Sequence, residues 1–461
     1  MNKIWKRLTA LALCAAMLSG CGSGAAAAPA EKEAVAGEGV TAHMALYPES
    51  ASYPREEDYR KADGEIDWDA FDLAMDAWAA DRSSRQDLAE ENLEEIRSFL
   101  RDSASVFLGG DDRDNYIYSP LNVYIALGLL AEITEGESRQ QILEAAHVSS
   151  LEEMEEKIQS LFLAAATDDG ASKCLLGNSL WLSSRASYKE ETVSRMTEKL
   201  YASVFEGTFG SAEMDQALRD WINEMTGNLL EDSVKNIQLD PATLAALCST
   251  LYYKARWSDE FSAEDTKEKI FHGRDGDKEV MFMHANDTGH LYFGEHFTAY
   301  EKYFVDGGSM LFVLPAEGTS PADLLKDPEL QEFLTLADSS SWENAGFGMV
   351  HADIPRFDLA EALDLIPGLK ELGITDVFDP DRGDFSSLTD DRGVYVDSAS
   401  HNTRVKIDEE GIEAAAYTMI TAMGAALITQ EYDFTLDRPF VFAVRSAAGI
   451  PLFTGVVNRI G

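Results

Sequence analysis

The chain has 461 residues, a hydrophobic fraction of 45% and a formal net charge of -44 at pH 7. This length allows one large domain or two to three ordinary ones, and the hydrophobic fraction is that of a folded globular protein. The acidic excess repels nucleic acid and anionic lipid headgroups, so we expect no nucleic-acid partner.

The N-terminus, MNKIWKRLTALALCAAMLSGCGSG, combines a basic start, a short apolar run and small residues before a cysteine. This pattern is typical of an export signal and is too short for a membrane-spanning helix. The residues Leu18-Ser19-Gly20-Cys21 resemble a bacterial lipobox, which implies cleavage before Cys21 and lipid on its thiol. We therefore predict a signal peptide at residues 1–20 and a lipid anchor on the extracellular face of a bacterial membrane. The alternative is a secreted chain with an incidental cysteine.

The remaining chain divides by composition. Residues 21–42 are rich in Gly, Ala and Glu, which predicts a flexible tether from the lipidated cysteine. Residues 43–88 carry scattered aromatic residues and are predicted to be an N-terminal extension that lies against the main body. Residues 89–461 are predicted to be a single domain. Within it, Cys174 and Cys248 lie in apolar runs, where buried free thiols are the default, although a disulfide between them stays open.

Helical patterns come first in this domain and strand patterns follow. Residues 91–108 place apolar side chains on one helical stripe, and Ser119-Pro120 marks the start of a buried helix. Strand-like runs then occupy residues 244–257, 309–317, 348–359 and 393–408, and residues 438–460 have the form of a terminal hairpin. This order predicts an α+β fold.

Signatures of catalysis are absent from the sequence. There is no His-Glu-x-x-His, no Gly-x-Ser-x-Gly and no glycine-rich phosphate loop. The eight histidines are scattered and the cysteines lack metal-ligand spacing. We expect no enzyme, no metal and no cofactor.

Several motifs resemble those of the serpins, in family order, over residues 89–461. They are NYIYSPLNVYIALGLL, STLYYKARWSDEF, DIPRFDL, LGITDVFDPDRGDFSSL, VYVDSASHNTRVKIDEEGIEAAA and RPFVFAVRSAAGIPLFTGVVNRI. The resemblance implies a large, mostly antiparallel central sheet A, two smaller sheets, about nine helices and an exposed reactive-centre loop. It also implies a partner, a target serine protease that cuts the loop and is held as a covalent acyl complex while the loop enters sheet A. Serpin loop insertion is a known case of strand addition, and it is carried over here from the family.

The resemblance also assigns the hinge of the loop. The matching residues are Glu409, Glu410, Gly411, Ile412, Glu413, Ala414, Ala415, Ala416, Tyr417 and Thr418. At period two, Ile412 and the alternate residues up to Ala422 share a face of small or β-branched side chains that suits burial. The family's usual small residue after the glycine is replaced by Ile412, and a usual Ala by Tyr417. An ordinary surface helix is the alternative for this segment, because Ala and Met also favour helices.

Family spacing from Gly411 places the cleaved bond between Ala425 and Ala426. Counting back from Pro439 instead gives Ile428, so alternatives extend over residues 423–428. Because Ala425 is small, we expect elastase-like or subtilisin-like targets.

Two further regions match the family. Trp257 matches the aromatic residue of the breach, where the loop first enters. The shutter, where sheet A must part, corresponds to Ser119, Asn122, Ser249 and His401. The usual asparagine is replaced by Ser249, so we expect the Asn122 amide to contact His401 instead; the alternative is that His401 is satisfied by backbone or water.

Three functions are compatible with the sequence. The leading hypothesis is a monomeric, lipid-anchored suicide inhibitor of serine proteases. The second is a non-inhibitory surface binding lipoprotein with the serpin fold. The third, an unrelated solute-binding lipoprotein or surface hydrolase, does not fit the hinge, the breach or the terminal hairpin.

Overall fold

A computed structural model describes residues 33–37, 39–48, 51–110, 114–170, 172–336, 338–412 and 430–461. Within them, the α-helices are α1 (Trp68–Glu90), α2 (Leu93–Leu108), α3 (Pro120–Ile133), α4 (Gly136–Ala145), α5 (Leu151–Ala165), α6 (Glu190–Lys199), α7 (Ala212–Met225), α8 (Glu231–Val234), α9 (Pro321–Leu324), α10 (Pro328–Thr335) and α11 (Ile366–Glu371). Short 3-10 helices lie at Glu56–Tyr59, Ser339–Ser341 and Asp376–Phe378. Among the described helices, none combines the length and the apolar content needed to cross a membrane.

The strands form two large sheets. The first, which we call sheet A, contains β1 (Glu33–Gly37), β2 (Val40–His43), β4 (Thr167–Asp168), β5 (Lys173–Ser183), β6 (Ser203–Gly207), β7 (Ala245–Arg256), β13 (Phe357–Asp364), β14 (Val396–Ile407) and β15 (Gly411–Ile412). The second sheet contains β3 (Tyr116–Tyr118), β8 (Lys267–Gly273), β9 (Gly276–Phe293), β10 (Phe297–Tyr303), β11 (Ser309–Pro315), β12 (Ala345–Pro355), β16 (Glu431–Thr435), β17 (Phe440–Arg445) and β18 (Pro451–Val457).

Sheet A runs in the order β1-β2-β6-β5-β7-β15-β14-β13. The β5–β6 and β7–β14 pairs are parallel, whereas β2–β6, β5–β7 and β13–β14 are antiparallel. The predicted α+β fold with a large, mostly antiparallel sheet A is confirmed. The two smaller sheets are joined here into one hydrogen-bonded path, because the 18-residue strand β9 pairs with β8, β10 and β12.

Helix α3 is the centre of the core. All fourteen of its residues are buried, which explains why its sequence is apolar on every side. Its start is fixed by Pro120 in the first turn and by the Ser119 hydroxyl, which accepts a hydrogen bond from the Asn122 main-chain N–H.

The predicted tether at 21–42 differs from the structure in its C-terminal half. Strand β1 lies wholly within this range and β2 partly within it, and both belong to sheet A, where β2 pairs with β6. Val40 and Ala42 are buried at alternate positions of β2. The short period-two pattern of these residues therefore predicts the local structure better than the Gly- and Ala-rich composition does. In the described part of the extension, α1 packs along α5.

Candidate functional site

The predicted hinge begins with a tight hairpin between β14 and β15. The main-chain N–H of Asp408 donates to the carbonyl of Gly411 at 3.0 Å, and that of Glu410 donates to the Asp408 carboxylate at 3.0 Å. After this turn, β15 pairs with β7 on one side and with β14 on the other. Two residues of the hinge therefore already lie in sheet A, as a short wedge between its two central strands.

Gly411 is required by a close approach of two backbones. Its φ is +153°, and a Cβ atom here would lie 2.1 Å from the carbonyl oxygen of Ala255 and 2.8 Å from the Cα of Arg256. Glycine also has the torsional freedom that a hinge needs. The structure adds that the strand can enter only if this residue has no side chain.

Ile412 is seated in the sheet, with 2% of its surface exposed. It pairs with Ala255 of β7 and with Ile407 of β14. This unusual residue is therefore accepted at the first inward position, on the face predicted for burial.

Trp257 holds the hinge turn through both of its N–H groups. The main-chain N–H donates to the carbonyl of Glu410 and the indole Nε1 donates to that of Asp408, each at 3.0 Å. The indole is buried and stacks on Phe304 with ring centroids 4.6 Å apart. Because the N–H of Phe261 binds the carbonyl of Glu409 at 3.0 Å, three consecutive carbonyls of the turn have donors.

The side chain of Glu409 fixes the turn from the opposite side. Its Oε1 accepts hydrogen bonds from Arg356 Nε at 3.0 Å and Thr266 Oγ1 at 2.5 Å, and Arg356 Nη2 makes a further contact. Burial by itself raises the pKa of this carboxyl, but the guanidinium and the hydroxyl outweigh burial and hold the pKa below its usual range. The sequence analysis assigned no role to Arg356 or Thr266, because both act through contacts with a residue far along the chain, Glu409.

The predicted shutter residues meet where the start of α3 contacts sheet A. Ser249 of β7 is opposite His401 of β14 and opposite Asn178 of β5. The main-chain N–H of Ser119 donates to His401 Nε2 at 2.8 Å, so this nitrogen is the acceptor of a neutral imidazole. Burial lowers the pKa of His401 to about 3, and the main chain of Ser249 opposes this decrease only in part.

The expected contact between the Asn122 amide and His401 is wrong. Asn122 Oδ1 instead accepts from Asn178 Nδ2 at 2.8 Å, and the Asn122 carbonyl accepts from Ser249 Oγ at 3.4 Å. The reason is that the Ser119 N–H already occupies His401 Nε2, while Asn122, in the first turn of α3, contacts β5. The alternative of a backbone partner for His401 is the one observed, and Asn178 was missed because it is 56 residues from Asn122.

The two cysteines of the domain are free and buried. Cys174 is opposite Tyr253 and Cys248 is opposite Ser179 in the β5–β7 register. This offset of five residues corresponds to roughly 16 Å along the strands, beyond the reach of a disulfide. Burial raises the pKa of both thiols, so neither is a reactive site.

A strand of a sheet lies on each side of the predicted reactive loop. Ile412 lies in sheet A, and Glu431 begins β16, which pairs in parallel with β12. The remaining predicted loop residues lie outside the described residues. They are Glu413, Ala414, Ala415, Ala416, Tyr417, Thr418, Ala425 and Ala426. The predicted lipidation site, Cys21, lies outside them as well.

Comparisons with known proteins agree with this geometry. The sequence model described as "Serpin (serine protease inhibitor)" matches residues 102–460. The chain is 28% identical to leukocyte elastase inhibitor A of Mus musculus over 342 residues, covering 72% of this chain and 89% of that protein. It is 27% identical to neuroserpin of Homo sapiens over 366 residues, covering 76% and 86%.

Solved structures show the same fold. Native tengpin, a thermophilic serpin, superposes with a TM-score of 0.71 at 24% identity, covering 80% of this chain and 95% of tengpin. A serpin of the insect Tenebrio molitor superposes with a TM-score of 0.67 at 20% identity, covering 80% and 99%. The chain therefore belongs to the serpin family, whose members are protease inhibitors rather than enzymes.

Proposed function

We propose that this serpin is a suicide-substrate inhibitor of elastase-like or subtilisin-like serine proteases. A protease attacks the reactive loop, the loop enters sheet A between β7 and β14, and the enzyme stays bound as the acyl intermediate. The observation that carries the proposal is β15, the two-residue wedge that already separates the ends of these strands.

The register of β15 supports the assigned bond. Gly411 is opposite Arg256 and Ile412 is opposite Ala255. If insertion continues one residue at a time, Ala422 comes to lie opposite Ala245, the first residue of β7. Cleavage after Ala425 then leaves only a short link between the inserted strand and the enzyme, whereas cleavage after Ile428 leaves a longer and looser link.

The target class follows from the proposed bond. A protease with a shallow primary pocket accepts Ala425, whereas a trypsin-like enzyme needs Lys or Arg, and the sequence from Ala414 to Asp437 has neither. The similarity to proteins named leukocyte elastase inhibitor agrees with this choice.

The first experiment is incubation of the purified full-length chain with elastase, subtilisin or trypsin, followed by denaturing electrophoresis and mass spectrometry. We expect a covalent complex with elastase or subtilisin and release of a peptide that begins at Ala426. The control variant is Ile412→Arg, which places a charge at a site that is 2% exposed. This variant should be cleaved without forming a complex. If the wild type is also only cleaved, the trapping mechanism is rejected and the non-inhibitory binding function is favoured.

We also propose that the inhibitor is a monomer held at a bacterial surface by lipid on Cys21. The export-type N-terminus and the lipobox-like sequence support this placement. Metabolic labelling with a radioactive fatty acid should label the wild type and leave Cys21→Ser unlabelled. Equal labelling of both chains would reject Cys21 as the anchor.

A further inference from the structure

The N-terminal extension makes a buried polar contact with the main body. The extension precedes the residues matched to the family, which begin at residue 102. Two side chains of α1, Trp78 and Arg82, reach two acidic residues of the body, Asp169 and Asp306. We call these four residues the brace.

Asp169 connects the brace to sheet A. It directly follows β4, in the turn that leads to β5. Its Oδ2 accepts from Trp78 Nε1 at 2.9 Å and lies 3.7 Å from Arg82 Nη1. The carbonyl of Asp169 also accepts from the N–H of Tyr53 at 2.8 Å. The extension therefore holds this turn by its side chain and by its main chain.

Asp306 connects the brace to the second sheet. It lies in the turn between β10 and β11, and its Oδ2 is 4.0 Å from Arg82 Nη2. Arg82 also donates to the main-chain carbonyl of Asp306, and the hydroxyl of Tyr253 donates to Oδ2 at 2.9 Å. The carboxylates of Asp169 and Asp306 are only 4% and 6% exposed. Buried carboxylates of this kind need a nearby cation, and Arg82 provides one for both.

The turn that carries Asp306 lies beside the entrance for the hinge. The N–H of Val305 donates to the carbonyl of Arg256 at 2.9 Å, and Phe304 forms a β-bridge to Trp257. Arg256 is the residue opposite Gly411, and Trp257 holds the hinge turn. A continuous series of contacts thus runs from Arg82 to the hinge.

Loop insertion requires movement across this connection. An added strand increases the distance between β7 and β14 by about 4.8 Å, so part of sheet A must shift against the second sheet. Arg82 joins the β4–β5 turn of sheet A to the β10–β11 turn of the second sheet. We propose that the extension is a regulatory brace, in which Arg82 resists the separation of β7 and β14 and so sets how readily the hinge advances.

The consequence for inhibition rests on the proposed function, but the opening of the strands can be measured without any protease. Hydrogen exchange of the full-length chain, followed by mass spectrometry, reports the opening of peptides covering residues 245–251 and 396–403, where β7 and β14 pair directly with each other. We expect Arg82→Met to speed their exchange about tenfold, which corresponds to about 1.4 kcal/mol of opening free energy. Exchange in the β17–β18 hairpin should not change.

Arg55→Met is the matched control, because Arg55 is in the same extension but its side chain is 57% exposed. It should leave exchange unchanged in both peptides of sheet A and in the β17–β18 hairpin.

The second variant is Arg82→Lys, which keeps the charge but cannot form the same set of hydrogen bonds. It should give an intermediate rate, and it carries the test alone if Arg82→Met does not fold.

The proposal is overturned if Arg82→Lys exchanges like the wild type at 245–251. It is also overturned if either Arg82 variant speeds exchange equally in the terminal hairpin, since the effect is then general destabilisation. Formation of a covalent complex by the wild type is a separate result: it tests the proposed function and leaves the brace unaffected.

Discussion

Along the lower part of sheet A, from Val396 to Thr403, β14 pairs directly with β7, whereas at the top the same two strands are separated by β15. We call this parallel pairing of residues 396–403 with residues 245–251 the lower seam. The top already has two antiparallel pairings, one on each side of the inserted residues. Each further residue that enters would replace the parallel pairing with two antiparallel ones, which have the more favourable geometry.

This difference shows where the resistance to insertion lies. At the top, the wedge is held by groups outside the seam, namely Trp257, Arg356 and Thr266. In the lower seam, His401, Ser249, Asn122 and Asn178 form a buried polar cluster beneath the pairing. The two regions can therefore be disturbed separately: the top by steric exclusion, and the lower seam by changing a buried polar group.

The largest effect is expected from Gly411→Val at the top. The new Cβ would collide with the Ala255 carbonyl, so β15 leaves the sheet and Ile412 loses its burial. We expect a loss of about 3 kcal/mol in unfolding free energy, measured by denaturant titration. Covalent complex with the target protease should fall at least about tenfold.

The matched control for this variant is Gly289→Val. Gly289 lies in β9 and a Cβ there meets no atom within 4 Å. Its stability should remain within about 0.5 kcal/mol of the wild type. If Gly411→Val were as stable as this control and still formed complex, the wedge would not depend on the missing side chain.

A somewhat smaller effect is expected from acid acting on the lower seam. His401 is neutral when folded and its pKa is lowered to about 3, whereas an unfolded histidine has an ordinary pKa of about 6.5. Between these values the unfolded chain binds the extra proton, so stability falls as the pH decreases through this window. This residue should account for about 2 kcal/mol of lost unfolding free energy from pH 7 to pH 5.

His401→Gln separates this contribution from that of the carboxyl groups. The amide oxygen of glutamine can accept from the Ser119 N–H but does not titrate. Denaturant titrations at both pH values should show a smaller acid loss for the variant. If the wild type and the variant lost equal unfolding free energy between pH 7 and pH 5, protonation of His401 would not be the cause of the acid loss.

The sequence predicted the two strands of this seam but not the contacts between them and the hinge. Residues 244–257 and 393–408 were assigned to strands by their apolar patterns, and β7 and β14 occupy these ranges with small differences at the ends. The inward face of Ile412 also followed from period two. The entry of Gly411 and Ile412 into the sheet of the uncut chain, however, depends on the close approach of Gly411 to Ala255. A local sequence pattern contains no information on that distance.

The polar cluster and the extension show the same limit. Asn178 looks like an ordinary strand residue until β5, α3 and β7 are brought together. Helix α1 was not predicted, because Ala89 is its only buried residue and no apolar stripe marks it within the described structure. Its stabilising contacts come from Trp78 and Arg82, whose partners are far along the chain.

The smallest effect distinguishes two polar groups within the lower seam. Asn122→Ala leaves the Nδ2 of the fully buried Asn178 without its 2.8 Å acceptor, and we expect a loss of about 1–2 kcal/mol in unfolding free energy. Ser249→Ala removes only a long, 3.4 Å hydrogen bond to the Asn122 carbonyl, so its loss should be smaller, about 0.5 kcal/mol. Denaturant titration of both variants measures the order. The reverse order would mean that the serine, and not the Asn122–Asn178 pair, stabilises the closed seam.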